Sequence, residues 1–155
     1  MNDQLLPKPM NNSVVVLSQL MHPEHANNQG NVHGGWIMKL VDECGALACM
    51  RHGQRRVVTV ALDGMTFKQP IRIGDLITLT GMVTFTGRTS LEAVVSVTAE
   101  NPLTGTKTHT NQATLVYVAL DADGNPTPIP PVFAETDEEK KLQEEARARH
   151  AARRR

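Results

Sequence analysis

Residues 35–52 read GWIMKLVDECGALACMRH, and within them Ile37, Leu40, Val41, Cys44, Leu47 and Ala48 recur at steps of three and four. That period predicts one amphipathic helix from Gly35 to about His52. The stretch before it, MHPEHANNQGNVHGG, is dense in Asn, Gly, His and Pro, which favours turns over a helix or strand. Further upstream, Ser13 to Leu20 is a β-branched run and a predicted first strand. Downstream, Arg56 to Phe67, Asp75 to Thr86, Thr89 to Glu100 and Lys107 to Leu120 are rich in Val, Thr and Ile and read as four more strands. In the strand from Asp75, Ile77, Leu79, Val83 and Phe85 are expected on one face. Thr78, Thr80, Thr84 and Thr86 are expected on the other, so one side of the sheet should be wet. The turn-rich segments at Gly87-Arg88 and 101–105 are short, so the last three strands should form an antiparallel meander.

One apolar helix stripe and one sheet with a single apolar face bury both if the helix lies across the concave face of the curled sheet. The predicted class is therefore α+β: a hotdog fold, with a five-stranded antiparallel sheet wrapped around one long helix. Residues 1–12 read as a loose N-terminal lead, 13–134 as the domain and 135–155 as a charged helical tail. Thr136 and Glu139 fit a capping box that opens the tail helix, whose apolar stripe is nearly absent, so it is not expected to dock.

The chain has 155 residues, enough for one domain with a sizeable core. Its five aromatics, Trp36, Phe67, Phe85, Tyr117 and Phe133, argue against a base-stacking platform for single-stranded nucleic acid. Sixteen basic and sixteen acidic residues cancel, so no global field steers the protein to nucleic acid or an anionic membrane. Thirteen of those charges fall in residues 135–155, leaving a lightly charged body that is expected to hide surface in an oligomer. Cys44 and Cys49, about 8 to 9 Å apart on one helix, are too far to bridge and are expected to be free thiols. With no disulfide, leader or long apolar run, a cytoplasmic setting is expected.

On the helical wheel Asp42 lies about 140° from Ile37, among Gly35, Gly45, Ala46 and Cys49. A solvated helix carboxylate is the ordinary reading, but this face of small residues makes Asp42 the best acid–base candidate in the chain. The Gly34-Gly35 pair is expected to leave backbone N–H groups unpaired at the positive end of the helix dipole, where they would stabilise a developing oxyanion. Asn27, Asn28, Gln29 and Asn31 either hold a water or carbonyl or make Asx turns. His22, His25 and His33 have no cysteine nearby, and no metal site is predicted. Motifs for a serine-hydrolase elbow, a P-loop or a dinucleotide fold are absent from the sequence.

The run Asn27-Asn28-Gln29-Gly30-Asn31-Val32-His33-Gly34-Gly35-Trp36-Ile37-Met38, followed by Asp42, resembles the signature of hotdog-fold acyl-CoA thioesterases of the bacterial short-chain and brain-type hydrolase group. VVTVALDGMTFKQPIRIGD, Val57 to Asp75, resembles that group's second block. The resemblance implies hydrolysis of acyl-CoA thioesters, with Asp42 as the catalytic carboxylate and Asn27 as the catalytic asparagine. It also implies that the two come from opposite chains of a homodimer whose sheets pair side by side. Assembly of such dimers into a tetramer or a hexamer, as a trimer of dimers, is compatible with it. Gly35 would then polarise the thioester carbonyl, with Gly34 and His33 beside it. No cofactor is expected beyond the coenzyme A carried by substrate and product. Its phosphates call for cations, for which Arg88, next to Thr89 and Ser90, and Arg56 are the candidates. Val58 and Thr59 are candidates for the pantetheine channel. Two other readings stay open: a module that binds acyl-CoA without hydrolysing it, and a hydroxyacyl-thioester dehydratase using His33.

Overall fold

The computed structural model describes residues 5–65 and 69–153. Its elements are β1 (Lys8–Pro9), β2 (Val15–Leu20), α1 (Gly34–Gly53), β3 (Arg56–Asp63), β4 (Leu76–Thr86), β5 (Ser90–Glu100), β6 (Lys107–Leu120), β7 (Val132–Phe133) and α2 (Asp137–Arg153). Five strands form one antiparallel sheet in the order β2-β4-β5-β6-β3. The expected meander is β4-β5-β6. The connection through α1 carries the chain from one edge strand to the other, so β3 ends at the open edge beyond β6. The end expected for that strand, Thr66 and Phe67, lies outside the described residues, as do Arg154 and Arg155.

α1 crosses the apolar face of this sheet, and its Ile37, Val41, Cys44 and Ala48 are buried against Leu79, Leu91, Val95 and Leu115. Each Ile, Val or Leu among them contributes about 1.5 to 3 kcal/mol on leaving water, and the smaller Ala48 and Cys44 less, before the entropy of ordering is set against it. Close approach is needed in two places. A Cβ on Gly81 would lie 3.0 Å from Cys44 Sγ, and one on Gly45 would lie 2.5 Å from the Tyr117 hydroxyl. The helix stops at Gln54, whose φ of 57° is left-handed and whose N–H donates to the Met50 carbonyl.

Three expectations need correction. A bulge between Val83 and Phe85 breaks the alternation of β4, so Phe85 pairs with Glu92 on the outer face and its ring sits 4.6 Å from that of His150 on α2. Thr84, expected to be solvated, is buried. The outer face is also not left to water, because α2 docks on it. Leu142 packs toward the core, Ala146 is buried, and the Arg149 guanidinium reaches Glu92. A few apolar contacts and an ion pair together dock a helix that has no continuous apolar stripe. Lastly, the N-terminal lead is tied down. β1 pairs parallel with β7, Met10 is fully buried, and the Ser13 hydroxyl accepts from Val83 N–H at 2.9 Å. The capping box is present in shifted form: Thr136 Oγ1 accepts from Glu139 N–H, while Glu139 Oε1 accepts from Glu135 N–H.

Candidate active site

Asp42 stands half-buried on the face of α1 that meets β6 and β3. Its Oδ1 accepts from Thr59 Oγ1 at 2.8 Å and from the Tyr117 hydroxyl at 3.0 Å, and the same phenol lies 2.9 Å from the Asp42 carbonyl oxygen. Thr59 and Tyr117 are directly paired across β3 and β6, so one rung of the sheet presents both hydroxyls to one carboxylate oxygen. Oδ1 is thus held from two sides, and no donor to Oδ2 is found among the described residues. Thr59, expected along a ligand channel, thus bonds the carboxylate itself. Tyr117 was not among the expected site residues. The signal for it was present: a lone tyrosine in an apolar strand needs a buried partner for its hydroxyl, and the small face around Asp42 offers the slot at Gly45. Burial first, then the Asp42 charge and hydrogen bond, raises the Tyr117 hydroxyl far above its ordinary value, so it stays a donor. Burial likewise pushes Cys44 up to about 11 and raises Cys49, so neither free thiol supplies a thiolate nucleophile at neutral pH.

The helix N-terminus differs from expectation. Gly35 N–H is not unpaired: it donates to His33 Nδ1 at 2.9 Å, and Trp36 N–H donates to the His33 carbonyl. An imidazole is a ring acceptor within hydrogen-bond reach, so the turn closes on itself where a capping hydroxyl would usually sit. His33 is therefore a helix cap on an exposed side chain. Asn27 makes the Asx turn: its Oδ1 accepts from Gln29 N–H at 2.9 Å and Asn31 N–H at 3.2 Å. This leaves the amide's NH2 end for a ligand. Asn27, Gly34, Ile37, Pro70 and Ile71 line a cavity of about 230 Å³ at the start of α1. His25 stacks on Trp36 with centroids 4.3 Å apart, and its Nδ1 accepts from His22 N–H.

Within one chain these pieces do not meet. Gly35 and Asp42 are seven residues apart on one helix, about 10 Å along its axis, too far for one carbonyl group to touch both. The remaining candidates gather at the C-terminal end of α1. Ser90 pairs with Val118, and Val118 with Val58, one rung from the Thr59–Tyr117 pair. Arg88 and Thr89 sit in the turn closed by Gly87 N–H donating to the Ser90 carbonyl. Arg88 is exposed, whereas Arg56 spends its guanidinium on the carbonyls of Asp121 and Ala122, each at 3.3 Å. Val58 is 46% exposed on the open edge strand, beside Val60 at 60%.

The family described as the Thioesterase superfamily matches residues 29–106. A cytosolic acyl coenzyme A thioester hydrolase of Rattus norvegicus is 35% identical over 146 residues, covering 93% of this chain. The chain spans only 38% of that relative's length. Among solved structures, an apo-hexameric acyl-CoA thioesterase superposes with a TM-score of 0.92 at 39% identity, covering 97% of this chain and 96% of that one. An acyl-CoA hydrolase from Staphylococcus aureus in complex with butyryl coenzyme A, coenzyme A and coenzyme A disulfide gives 0.87 at 31% identity, covering 95% and 90%.

Proposed function

The chain belongs to the thioesterase superfamily, and from that premise we propose that it hydrolyses acyl-CoA thioesters to a carboxylic acid and coenzyme A in sites shared by two copies. The observation that carries this reading is the Asp42 carboxylate, held at Oδ1 by Thr59 and Tyr117, with Oδ2 unengaged among the described residues. A module that only binds needs no such carboxylate. As general base, Asp42 takes a proton from water while the water oxygen adds to the thioester carbonyl carbon. The C–S bond then breaks, and the departing thiolate takes up the proton. As nucleophile, the carboxylate instead adds to the thioester carbonyl and expels the coenzyme A thiolate as the C–S bond breaks, leaving a mixed anhydride; water opens it to the free acid, and the proton it releases goes to the thiolate. In a single turnover in heavy-oxygen water, label found in Asp42 establishes the anhydride route, because water that opens the anhydride at the Asp42 carboxyl carbon leaves its oxygen there, whereas the general-base route never does.

The separation of about 10 Å along α1 supports a partner subunit for the oxyanion donor. Asp42 of one copy would face the helix start of the other, where the substrate carbonyl replaces His33 on Gly35 N–H and the Asn27 amide donates beside it. β3 is one of the two sheet edges, the other being β2; it carries exposed Val58 and Val60 next to Thr59, which bonds Asp42, and is the strand that would pair with its two-fold mate. The hexameric relative is consistent with such dimers assembling further. Exposed Arg88 is the better candidate for the coenzyme A phosphates, because Arg56 is already engaged. The free thiols fit a reducing compartment such as the cytoplasm. No helix among the described residues is long and apolar enough to cross a membrane.

The test is incubation with acyl-CoAs of graded chain length and a thiol-reactive dye. Release of free coenzyme A is expected. Binding of acyl-CoA without release by any of them would replace hydrolysis with a binding function.

A further inference from the structure

Tyr117 is fully buried near the C-terminal end of β6, and its hydroxyl touches Asp42 twice, at Oδ1 and at the main-chain carbonyl. We propose that Tyr117 is a positioning residue for the hydrolysis proposed above, one that with Thr59 pins Asp42 Oδ1 and so aims Oδ2 at the reacting carbonyl. The proposal rests on that reading of the site.

The last torsion of an aspartate is broad, and a half-exposed carboxylate on a helix surface samples many orientations. Two donors converging on one of its oxygens select a single orientation, and they come from different environments. Thr59 lies on the exposed edge strand, where water and the side chain's own rotation compete for its hydroxyl. Tyr117 is a rigid ring inside the core, and its hydroxyl has Asp42 as its partner. The slot that admits it is also built: a Cβ on Gly45 would stand 2.5 Å from the phenol oxygen and 3.3 Å from ring carbons. Glycine inside a helix costs stability relative to alanine. Its presence here is accounted for by the hydroxyl it accommodates. Gly45, Tyr117 and Asp42 thus act as one unit across a helix–strand contact.

The test uses the full-length oligomer and three variants. Tyr117→Phe removes one oxygen and keeps the ring. It is expected to lower kcat roughly ten- to hundred-fold, the range a hydrogen bond to a charged group controls, with KM nearly unchanged and the melting temperature close to that of the parent. Gly45→Ala displaces the hydroxyl and should reproduce that loss. In the Tyr117→Phe background the same alanine meets only ring carbons, so Tyr117→Phe/Gly45→Ala should lose little more than Tyr117→Phe alone. Tyr117→Phe retaining most of its kcat, kcat and KM moving together, or multiplicative losses in the double variant would each overturn the proposal. If the parent protein releases coenzyme A from no acyl-CoA, hydrolysis itself fails, and the positioning role is read from a crystal structure of Tyr117→Phe. A carboxylate that turns away from its parental orientation supports it, and one that keeps that orientation overturns it.

Discussion

Arg149 Nε lies 2.6 Å from Glu92 Oε1, joining a charged C-terminal helix to a carboxylate that is only 2% exposed on the outer face of the sheet. Arg153 adds a longer contact to Glu92 Oε2 at 3.6 Å and pairs with Asp63 at 3.0 Å. Burial raises the Glu92 carboxyl above its ordinary value despite both guanidinium groups, so desolvation outweighs their attraction. The pair orients α2 more than it stabilises the fold.

Removing the two partners separately should therefore be unequal. Arg149→Ala leaves a buried carboxylate with only the distant Arg153, and should cost about 2 kcal/mol, seen as a fall of roughly 5 °C in melting temperature. Glu92→Gln removes the buried charge and should lie within about 1 kcal/mol of the parent. Equal losses from both variants would show that the ion pair itself is a net stabiliser.

His52 gives the fold an acid limit. Its ring is buried; Nε2 lies 2.7 Å from the Pro130 carbonyl, and Nδ1 is a buried atom without a partner among the described residues. Burial lowers its value below 6.5, Pro130 opposes that, and Lys8 adds to it. The unfolded chain thus binds the proton more readily than the folded one. The stability this contributes is full above about 6.5 and is lost as pH falls toward the folded value. Melting temperatures recorded from pH 7 to 5 should decline, and His52→Gln should flatten the decline. An unchanged slope would assign the acid sensitivity to other groups.

Asp42→Asn keeps the shape of the side chain and removes its basicity. Turnover of acyl-CoA should fall by about a hundredfold or more while coenzyme A still binds, as isothermal titration would measure. A variant with most of the parental kcat would remove Asp42 from the mechanism.

Sharing of the site between copies has its own test. Asn27→Ala and Asp42→Ala proteins should each be inactive, yet a mixed dimer holds one intact site and one doubly damaged site. Co-refolding equal amounts makes about half of the dimers mixed, so about a quarter of all sites should regain activity. If native mass spectrometry finds mixed dimers and the mixture stays inactive, Asn27 and Asp42 do not cooperate across the interface.

Much of this molecule is written locally. The three-and-four spacing from Ile37 to Ala48 marks α1, and the Val- and Thr-rich runs mark the five strands, because both periods report which side of a short segment meets the core. The small face around Asp42 was legible for the same reason. The rest depends on residues far apart in sequence. The phenol under Asp42 comes from 75 residues away, and which oxygen it holds is set by the register of β6 against β3. One inserted residue in β4 sends Phe85 to the outer face, and such a bulge has no periodic signature. The docking of α2 rests on isolated contacts of Leu142, Ala146 and Arg149, and the Arg149–Glu92 pair becomes visible only once the sheet has buried Glu92. Sequence periodicity assigned the elements and the acidic candidate; non-local packing alone decided which side chains touch it, since such contacts follow from strand register and helix crossing and not from spacing along the chain.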